Sequence, residues 1–244
     1  MNSNLEIRLE RARSWLILAD SLTKRLETMG QRVSPGVGEA REHEQFIFYW
    51  IAFNCLYGRS PYDTRMVDER RTKQKGSEGA DPELESFIKN VKTMTHHDWE
   101  KRTLNGAITR CGDIGKTVIL DYFLDHRYWE KKLYLDDVKQ KCKEEWEQVK
   151  EELAASKNDK FLKYSLRRLK VLRNQIMHGS VTYGGKSKGL ESLLPGLELI
   201  SILVPAFYDL TKDYGHCIDE WDAAPYPRRL YPGHPWPPTI TVRK

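Results

Sequence analysis

The stretch VLRNQIMHGS, residues 171–180, closes a long amphipathic helix and places two chemically active side chains at its end. At about 100° per residue, the apolar arc of that helix consists of Leu162, Leu166, Leu169, Leu172 and Ile176. Arg173 falls inside this arc. A guanidinium keeps its charge and is costly to bury unpaired. Arg173 therefore requires an anion, a partner surface or a wet cleft on the side where the helix packs, and His178 adds acid–base chemistry near neutral pH.

The spacing of Arg173 and His178 limits how they can act together. Five residues separate them, which places them about 140° apart on a regular helix. They can converge if the helix loosens at 177–179. Alternatively, they can meet across a twofold axis, in a cleft to which each subunit contributes its own Arg173 and His178. Asn174 shares a face with His178, so its amide can orient the imidazole or bind a phosphate oxygen.

Both side chains also have an ordinary structural interpretation. His178 can act as a cation at the C-terminus of the helix, where the helix dipole favours positive charge. Arg173 can form a partly buried ion pair with an acid such as Glu145 or Asp121. These interpretations remain open from the residues alone.

The composition predicts a soluble globular protein of the cytoplasm. Charged residues make up 31% of the 244 and apolar residues 39%. The first residues, MNSNLEIRLER, are too charged for a secretory signal peptide. We expect no membrane span, because no uncharged apolar run approaches the length of about 20 residues that a bilayer requires.

The basic residues are clustered, although the net charge of +5 is mild. One cluster is Arg70, Arg71, Lys73 and Lys75, and the other, on the helix that leads into the motif, is Lys163, Arg167, Arg168 and Lys170. Such clusters can bind a phosphate backbone, and we predict the second one to bind RNA. Solvated helix faces show the same pattern.

Apolar residues recur at helical spacing along nearly the whole chain, which predicts an all-α fold. One helical domain is expected over residues 1–222, with its core at about 40–215, followed by an extended Pro-rich tail at 223–244. The predicted helices cover about 4–29, 40–58, 97–111, 114–125, 134–155, 158–178 and 190–213, with another that begins at Pro82 after an Asp81 N-cap.

Other candidate sites are weaker. CGDIGKT at 111–117 ends like a phosphate-binding loop but lacks its first glycine and a preceding strand. His96-His97-Asp98 offers metal-ligand types, yet adjacent histidines on a helix point apart. The four cysteines, Cys55, Cys111, Cys142 and Cys217, form no CxxC pair, so we expect reduced, mostly buried thiols and no metal site.

Two segments together resemble the HEPN superfamily. Arg173-Asn174-x3-His178 is similar to the Arg-x4–6-His signature of that family, in which a polar residue commonly follows the Arg. FIFYWIAFNCLYG, residues 46–58, resembles the W-x3-N-x2-Y helix of the Apea-like HEPN branch through Trp50, Asn54 and Tyr57. From the residues alone, Trp50, Phe53 and Tyr57 are core aromatics, and Asn54 is a polar amide that needs hydrogen-bond partners.

The resemblance implies an elaborated HEPN helical bundle and a metal-independent endoribonuclease that requires no cofactor. Its catalytic residues would be Arg173, Asn174 and His178, and its products a 2′,3′-cyclic phosphate and a 5′-OH. It also implies a homodimer with a composite active site, and a toxin or anti-phage defence effector controlled by an antitoxin or sensor protein. The alternative is a non-catalytic HEPN module that binds nucleotide or RNA, or serves only for dimerisation.

Overall fold

The computed structural model describes residues 3–29, 37–58, 82–98, 102–130, 133–178, 188–219 and 221. Within these residues the secondary structure is entirely helical, which confirms the predicted all-α class. The α-helices of the described chain are α1 (Ser3–Met29), α2 (Val37–Tyr57), α3 (Pro82–His97), α4 (Arg102–Arg110), α5 (Gly112–Leu120), α6 (His126–Trp129), α7 (Leu135–Ala154), α8 (Asp159–Met177) and α9 (Lys188–Tyr214). The Pro-rich tail and the basic cluster at 70–75 lie outside the described residues.

Helices α1 and α2 pack antiparallel, and a buried arginine connects their ends. Arg8 donates from Nη1 to the carbonyl oxygens of Cys55 at 3.0 Å and Leu56 at 3.2 Å. The last carbonyls of a helix have no partner within the helix and attract cations. Arg8 therefore stabilises the end of α2, and its guanidinium also lies 5.9 Å from the ring centroid of Trp221.

An aromatic cluster forms the centre of the core. Trp50 and Phe53 of α2 are buried, and Phe53 lies 5.3 Å from Phe87 of α3 and 5.8 Å from Phe207 of α9, measured between ring centroids. This confirms Trp50 and Phe53 as core aromatics, whereas Tyr57 is half-buried and stacks on Phe53 at 4.4 Å. Fully burying a side chain of this size stabilises the fold by about 1.5–3 kcal/mol.

The predicted helix at 114–125 is wrong at its C-terminal end. The structure has α5 up to Leu120, then a 3-10 turn at Tyr122–Leu124 and the short helix α6. The cause is two aspartates: the carboxylate of Asp121 accepts from the Phe123 N–H, and that of Asp125 accepts from the Arg127 N–H, each at 2.9 Å. Aspartates that bond to the backbone two residues on begin new turns.

Close contacts fix α8 between α5 and α9. A Cβ atom added to Gly115 would overlap the ring of Phe161 on α8, and one added to Gly196 would overlap Leu172. The CGDIGKT segment therefore forms the α4–α5 turn and the start of α5, where its second glycine provides a close packing contact with α8. This geometry differs from the strand–loop–helix arrangement that cradles phosphates.

One helical stretch, Glu191–Cys217, is long and apolar enough to cross a membrane by length and composition, which the sequence-based expectation of no such span did not anticipate. Half of its most apolar window is buried inside the bundle, since α9 contacts α1, α2, α3, α4, α5 and α8. A core helix of this kind passes the same test as a membrane span, so the stretch is weak evidence for one.

Candidate functional site

The apolar arc of α8 packs on the core and so fixes the directions in which the motif residues Arg173, Asn174 and His178 project. Its four leucines are buried and Ile176 is half-buried, as the spacing predicts. Arg173 lies within this arc on the helical projection and is half-buried. Its Nη1 donates to the side-chain oxygen of Asn174 at 2.9 Å.

Arg173 has no carboxylate within ion-pair distance among the described residues. Both acids that could have paired with it are engaged elsewhere. Glu145 accepts from Arg127 and Arg168, each at 2.7 Å. Asp121 accepts from the Phe123 N–H at 2.9 Å and from the Ser192 hydroxyl. The guanidinium of Arg173 is therefore oriented by a neutral amide and has no described counter-charge.

His178 is the first residue after the helix. Its backbone has φ −94° and ψ 5°, and its N–H still donates to the carbonyl of Asn174 at 2.9 Å. The imidazole is exposed. The regular helix thus loosens at His178 itself, and Gly179, predicted to end it, lies outside the described residues. The side chain of Asn174 contacts the guanidinium, so in this structure it orients Arg173 rather than the imidazole.

Gln175, which the sequence interpretation missed, connects the motif to a neighbouring segment. It is buried, and its Nε2 donates to the carbonyl oxygen of Phe123 at 2.8 Å. The same oxygen accepts from the indole Nε1 of Trp129, also at 2.8 Å. One signal was present: Gln175 lies three residues after Leu172, next to the apolar arc, where a polar side chain needs partners.

The prediction that Arg168 binds RNA is corrected by its position. Its side chain is only 2% exposed, and its Nη2 lies 2.8 Å from Asp125 and 2.7 Å from Glu145. Arg127 pairs with the same two carboxylates, at 2.5 Å and 2.7 Å. We call these four residues the buried ionic cluster. Because its guanidinium is buried and neutralised there, Arg168 has no access to an RNA backbone.

The buried ionic cluster is electrostatically balanced, with two acids and two bases. Burial raises the pKa of Asp125, but the hydrogen bond from Arg127 and the charges of Arg168 and Arg127 outweigh burial and hold that pKa at about 2. The thiol of Cys142 lies 3.4 Å from the Nη2 of Arg168, and burial raises its pKa to about 11. Asp125 therefore stays ionised, and the thiol of Cys142 beside the cluster stays protonated, at neutral pH.

The other predicted RNA-binding residues lie on a different side of α8. Lys163 and Arg167 are half-buried and lie 3.5 Å and 3.3 Å from the same carboxylate, that of Glu85 on α3. Lys170 is half-buried as well. On a helical projection these three residues share a face with Asn174, whereas Arg168 and Gln175 lie on the opposite, core-facing side.

The His96-His97-Asp98 segment and the cysteines are weaker candidates for a functional site. His96 and His97 are exposed, with ring centroids 6.0 Å apart, and Asp98 is buried. In the described part of the chain no group of three or more His, Cys, Asp or Glu side chains is arranged to hold a metal ion. All four cysteines are unpaired; three are buried and Cys217 is half-buried, as expected.

A groove of about 480 Å³ lies far from the motif, between α3, α4 and the turn before α8. It is lined by residues of both charges, and an ion pair of 3.1 Å joins Lys92 and Asp159 at its edge. The lining reaches Leu162 on α8, 11 residues before Arg173, so this groove and the motif are separated by roughly 17 Å along the helix axis. The motif residues do not line it.

The described chain is thus an all-α bundle with an exposed, basic candidate site at the C-terminal end of α8. No protein-family model matches the chain, and no match is found among curated proteins or solved structures. Function has to be inferred from the site itself.

Proposed function

We propose that the chain is a metal-independent endoribonuclease that cleaves RNA to 2′,3′-cyclic phosphate and 5′-OH ends. The observation that carries the proposal is the state of Arg173: a half-buried guanidinium, held by Asn174, without a described counter-charge and five residues from an exposed His178. A charged donor that is oriented in advance is suited to an anion from outside the fold, and phosphate accepts from guanidinium in strong, charge-assisted hydrogen bonds.

The chemistry follows from the two side chains. A neutral His178 removes the proton from a ribose 2′-OH, whose oxygen then attacks the adjacent phosphorus. The bond to the 5′-oxygen breaks, and a protonated histidine supplies the proton to this leaving group. Arg173 stabilises the negative charge that develops on the phosphoryl oxygens. Asn174 keeps the guanidinium in position.

A homodimer supplies both histidines of this scheme. Arg173 and His178 point to different sides of a regular helix, so a composite site formed by two copies of α8 lets the His178 of the partner subunit act as the acid. Two exposed apolar side chains support an interface at this end: Met177 beside His178, and Leu194 on α9, two residues before Gly196, which packs against α8. A toxin or anti-phage effector, restrained by an antitoxin or sensor protein, is the biological role that suits this activity.

The test is cleavage of mixed RNA by the purified chain, with and without EDTA. We expect cleavage that EDTA leaves unchanged, complete loss with His178→Ala, and a loss of about 100- to 1000-fold with Arg173→Ala. The matched control is His97→Ala, which changes an exposed histidine of α3 and should keep full activity. Sedimentation should show the same dimer for each variant.

Three outcomes would overturn the proposal. Cleavage that persists in His178→Ala, or that disappears with EDTA, excludes this mechanism. RNA binding without any cleavage would favour the rival function, a non-catalytic module for nucleotide or RNA binding or dimerisation. In cells, growth arrest on expression that Arg173→Ala relieves would support the role as a toxin or effector.

A further inference from the structure

An exposed tryptophan lies beside the motif. The carbonyl oxygen of Phe123 accepts from the indole Nε1 of Trp129 and from the Nε2 of Gln175, each at 2.8 Å. The two donor nitrogens are therefore less than about 6 Å apart. Gln175 directly follows Asn174 and precedes His178 by three residues, so Trp129 borders the candidate site.

The indole of Trp129 has only its ring surface left to offer to a ligand. Its single donor is used by the Phe123 carbonyl, and 42% of the residue is still exposed. The ring of Phe123 lies 4.9 Å away at 72°, and that of Tyr128 lies 5.3 Å away at 89°. Both neighbours are in edge arrangements, and neither is stacked in parallel on the indole. A partly exposed aromatic side chain, held in place by a hydrogen bond and two steeply inclined rings, is preorganised for stacking.

We infer that Trp129 stacks on an unpaired base of the RNA that is cleaved at Arg173 and His178, an inference that rests on the proposed function. Every base has a π-face, so such stacking tolerates any sequence. On the helical projection Gln175 lies about 60° from His178 and about 160° from Arg173, so Trp129 holds a base on the His178 side of the site, while Arg173, without a described counter-charge, binds the phosphate. In a duplex both faces of each base are covered by its neighbours. The site therefore selects single-stranded RNA, loops or bulges over paired RNA.

The experiment measures RNA binding in the full-length His178→Ala chain, so that cleavage does not interfere. The probes are a fluorescein-labelled, unstructured oligoribonucleotide and the same strand annealed to its complement, followed by anisotropy. We expect tighter binding of the single strand. Adding Trp129→Ala should weaken that binding roughly 5- to 100-fold and leave duplex binding unchanged. Trp129→Phe keeps a stacking ring but loses the indole N–H, and should stay within about fivefold of the parent chain.

The matched control is Tyr134→Ala. Tyr134 is an aromatic residue that is 85% exposed, five residues from Trp129, and the structure describes no hydrogen bond between its side chain and the motif helix. Its replacement should leave both affinities unchanged. The unfolding midpoint of each variant is measured beside its affinity, to confirm that the fold is retained.

The inference is overturned by any of four results. They are equal binding of single strand and duplex, no RNA binding at all, a Trp129→Phe variant as weak as Trp129→Ala, and a Trp129→Ala variant whose affinity for RNA is unchanged. If that variant changes the oligomeric state instead, Trp129 is a contact between copies of the chain. This inference and the proposed function can fail separately. If Trp129→Ala still cleaves RNA with an unchanged KM, the stacking site is wrong and the nuclease proposal stands. If the wild-type chain never cleaves RNA but its RNA binding depends on Trp129, the nuclease proposal is wrong and the stacking site stands.

Discussion

Arg168 and Arg173 lie five residues apart on α8 and have opposite surroundings. Arg168 is buried between two carboxylates, at 2.8 Å and 2.7 Å. Arg173 is half-buried and contacts a neutral amide. The comparison separates two uses of the same side chain: a charge that is compensated within the fold holds helices together, and one that is not compensated can bind an anion from outside.

The buried ionic cluster joins three parts of the bundle. Asp125 and Arg127 belong to the turn and short helix after α5, Glu145 belongs to α7, and Arg168 to α8. Buried ion pairs contribute little net stability relative to well-packed apolar residues, since desolvation offsets the attraction. Removing one partner is different, because it leaves the others charged and buried.

The largest expected effect in this comparison is therefore that of Arg168→Met. The substitution leaves Asp125 and Glu145 with one cation in place of two, and the free energy of unfolding should fall by about 3–5 kcal/mol. Arg173→Met, the matched control, should change it by less than about 1 kcal/mol. Urea unfolding followed by circular dichroism measures both.

A double variant sharpens this prediction. Adding Glu145→Gln to Arg168→Met removes one uncompensated carboxylate, so part of the lost stability should return, which a double-mutant cycle quantifies. If Arg168→Met and Arg173→Met prove equally mild, the contrast between the two arginines has no energetic basis.

The next effect is a loss of stability in acid. The pKa of Asp125 is about 2 in the folded chain, below its ordinary value of 3.8, because Arg127 and Arg168 favour the carboxylate. A group with a depressed folded-state pKa contributes stability that is fully present above its unfolded pKa and is lost as pH falls through the folded pKa. On the order of 2 kcal/mol should therefore disappear between about pH 4 and pH 2.

Urea unfolding at a series of pH values, for wild type and Asp125→Asn, measures this contribution. The variant should have a flatter profile between pH 4 and pH 2. In Arg168→Met, where one of the cations is missing, the loss should begin at higher pH. Superimposable profiles for wild type and Asp125→Asn would show that the cluster does not hold this carboxylate ionised.

The contrast between the two arginines also marks the limit of what the sequence predicts. Apolar spacing gave the bounds of α8 within one residue and the burial of its four leucines, because a single periodic face packs on the core. The spacing on α8 alone does not reveal that a second side of this helix is packed, because Glu145 and Asp125, which contact that side, belong to other segments. Arg168 was consequently assigned to the surface, and the Gln175–Phe123–Trp129 contact, about 50 residues apart in sequence, was missed.

The smallest expected effect concerns the solvent-facing side of α8. The carboxylate of Glu85 lies 3.5 Å from Lys163 and 3.3 Å from Arg167. Exposed pairs of this kind contribute about 0–1 kcal/mol, so Glu85→Gln should barely change stability. If Lys163 and Arg167 contact RNA, as the sequence predicts, the carboxylate competes with phosphate for them. Its removal should strengthen RNA binding by the His178→Ala chain a few-fold and steepen the decline of affinity with salt.

Glu147→Gln is the matched control, because Glu147 forms a similarly exposed pair with Lys150, on α7. It removes the same charge from the chain, so any general electrostatic effect on RNA association should appear in both variants, and only a local effect appears in Glu85→Gln alone. Equal affinities in the two variants would mean that the basic side of α8 does not contact the RNA backbone. The uncompensated charge relevant to function would then be confined to Arg173 at the end of the helix.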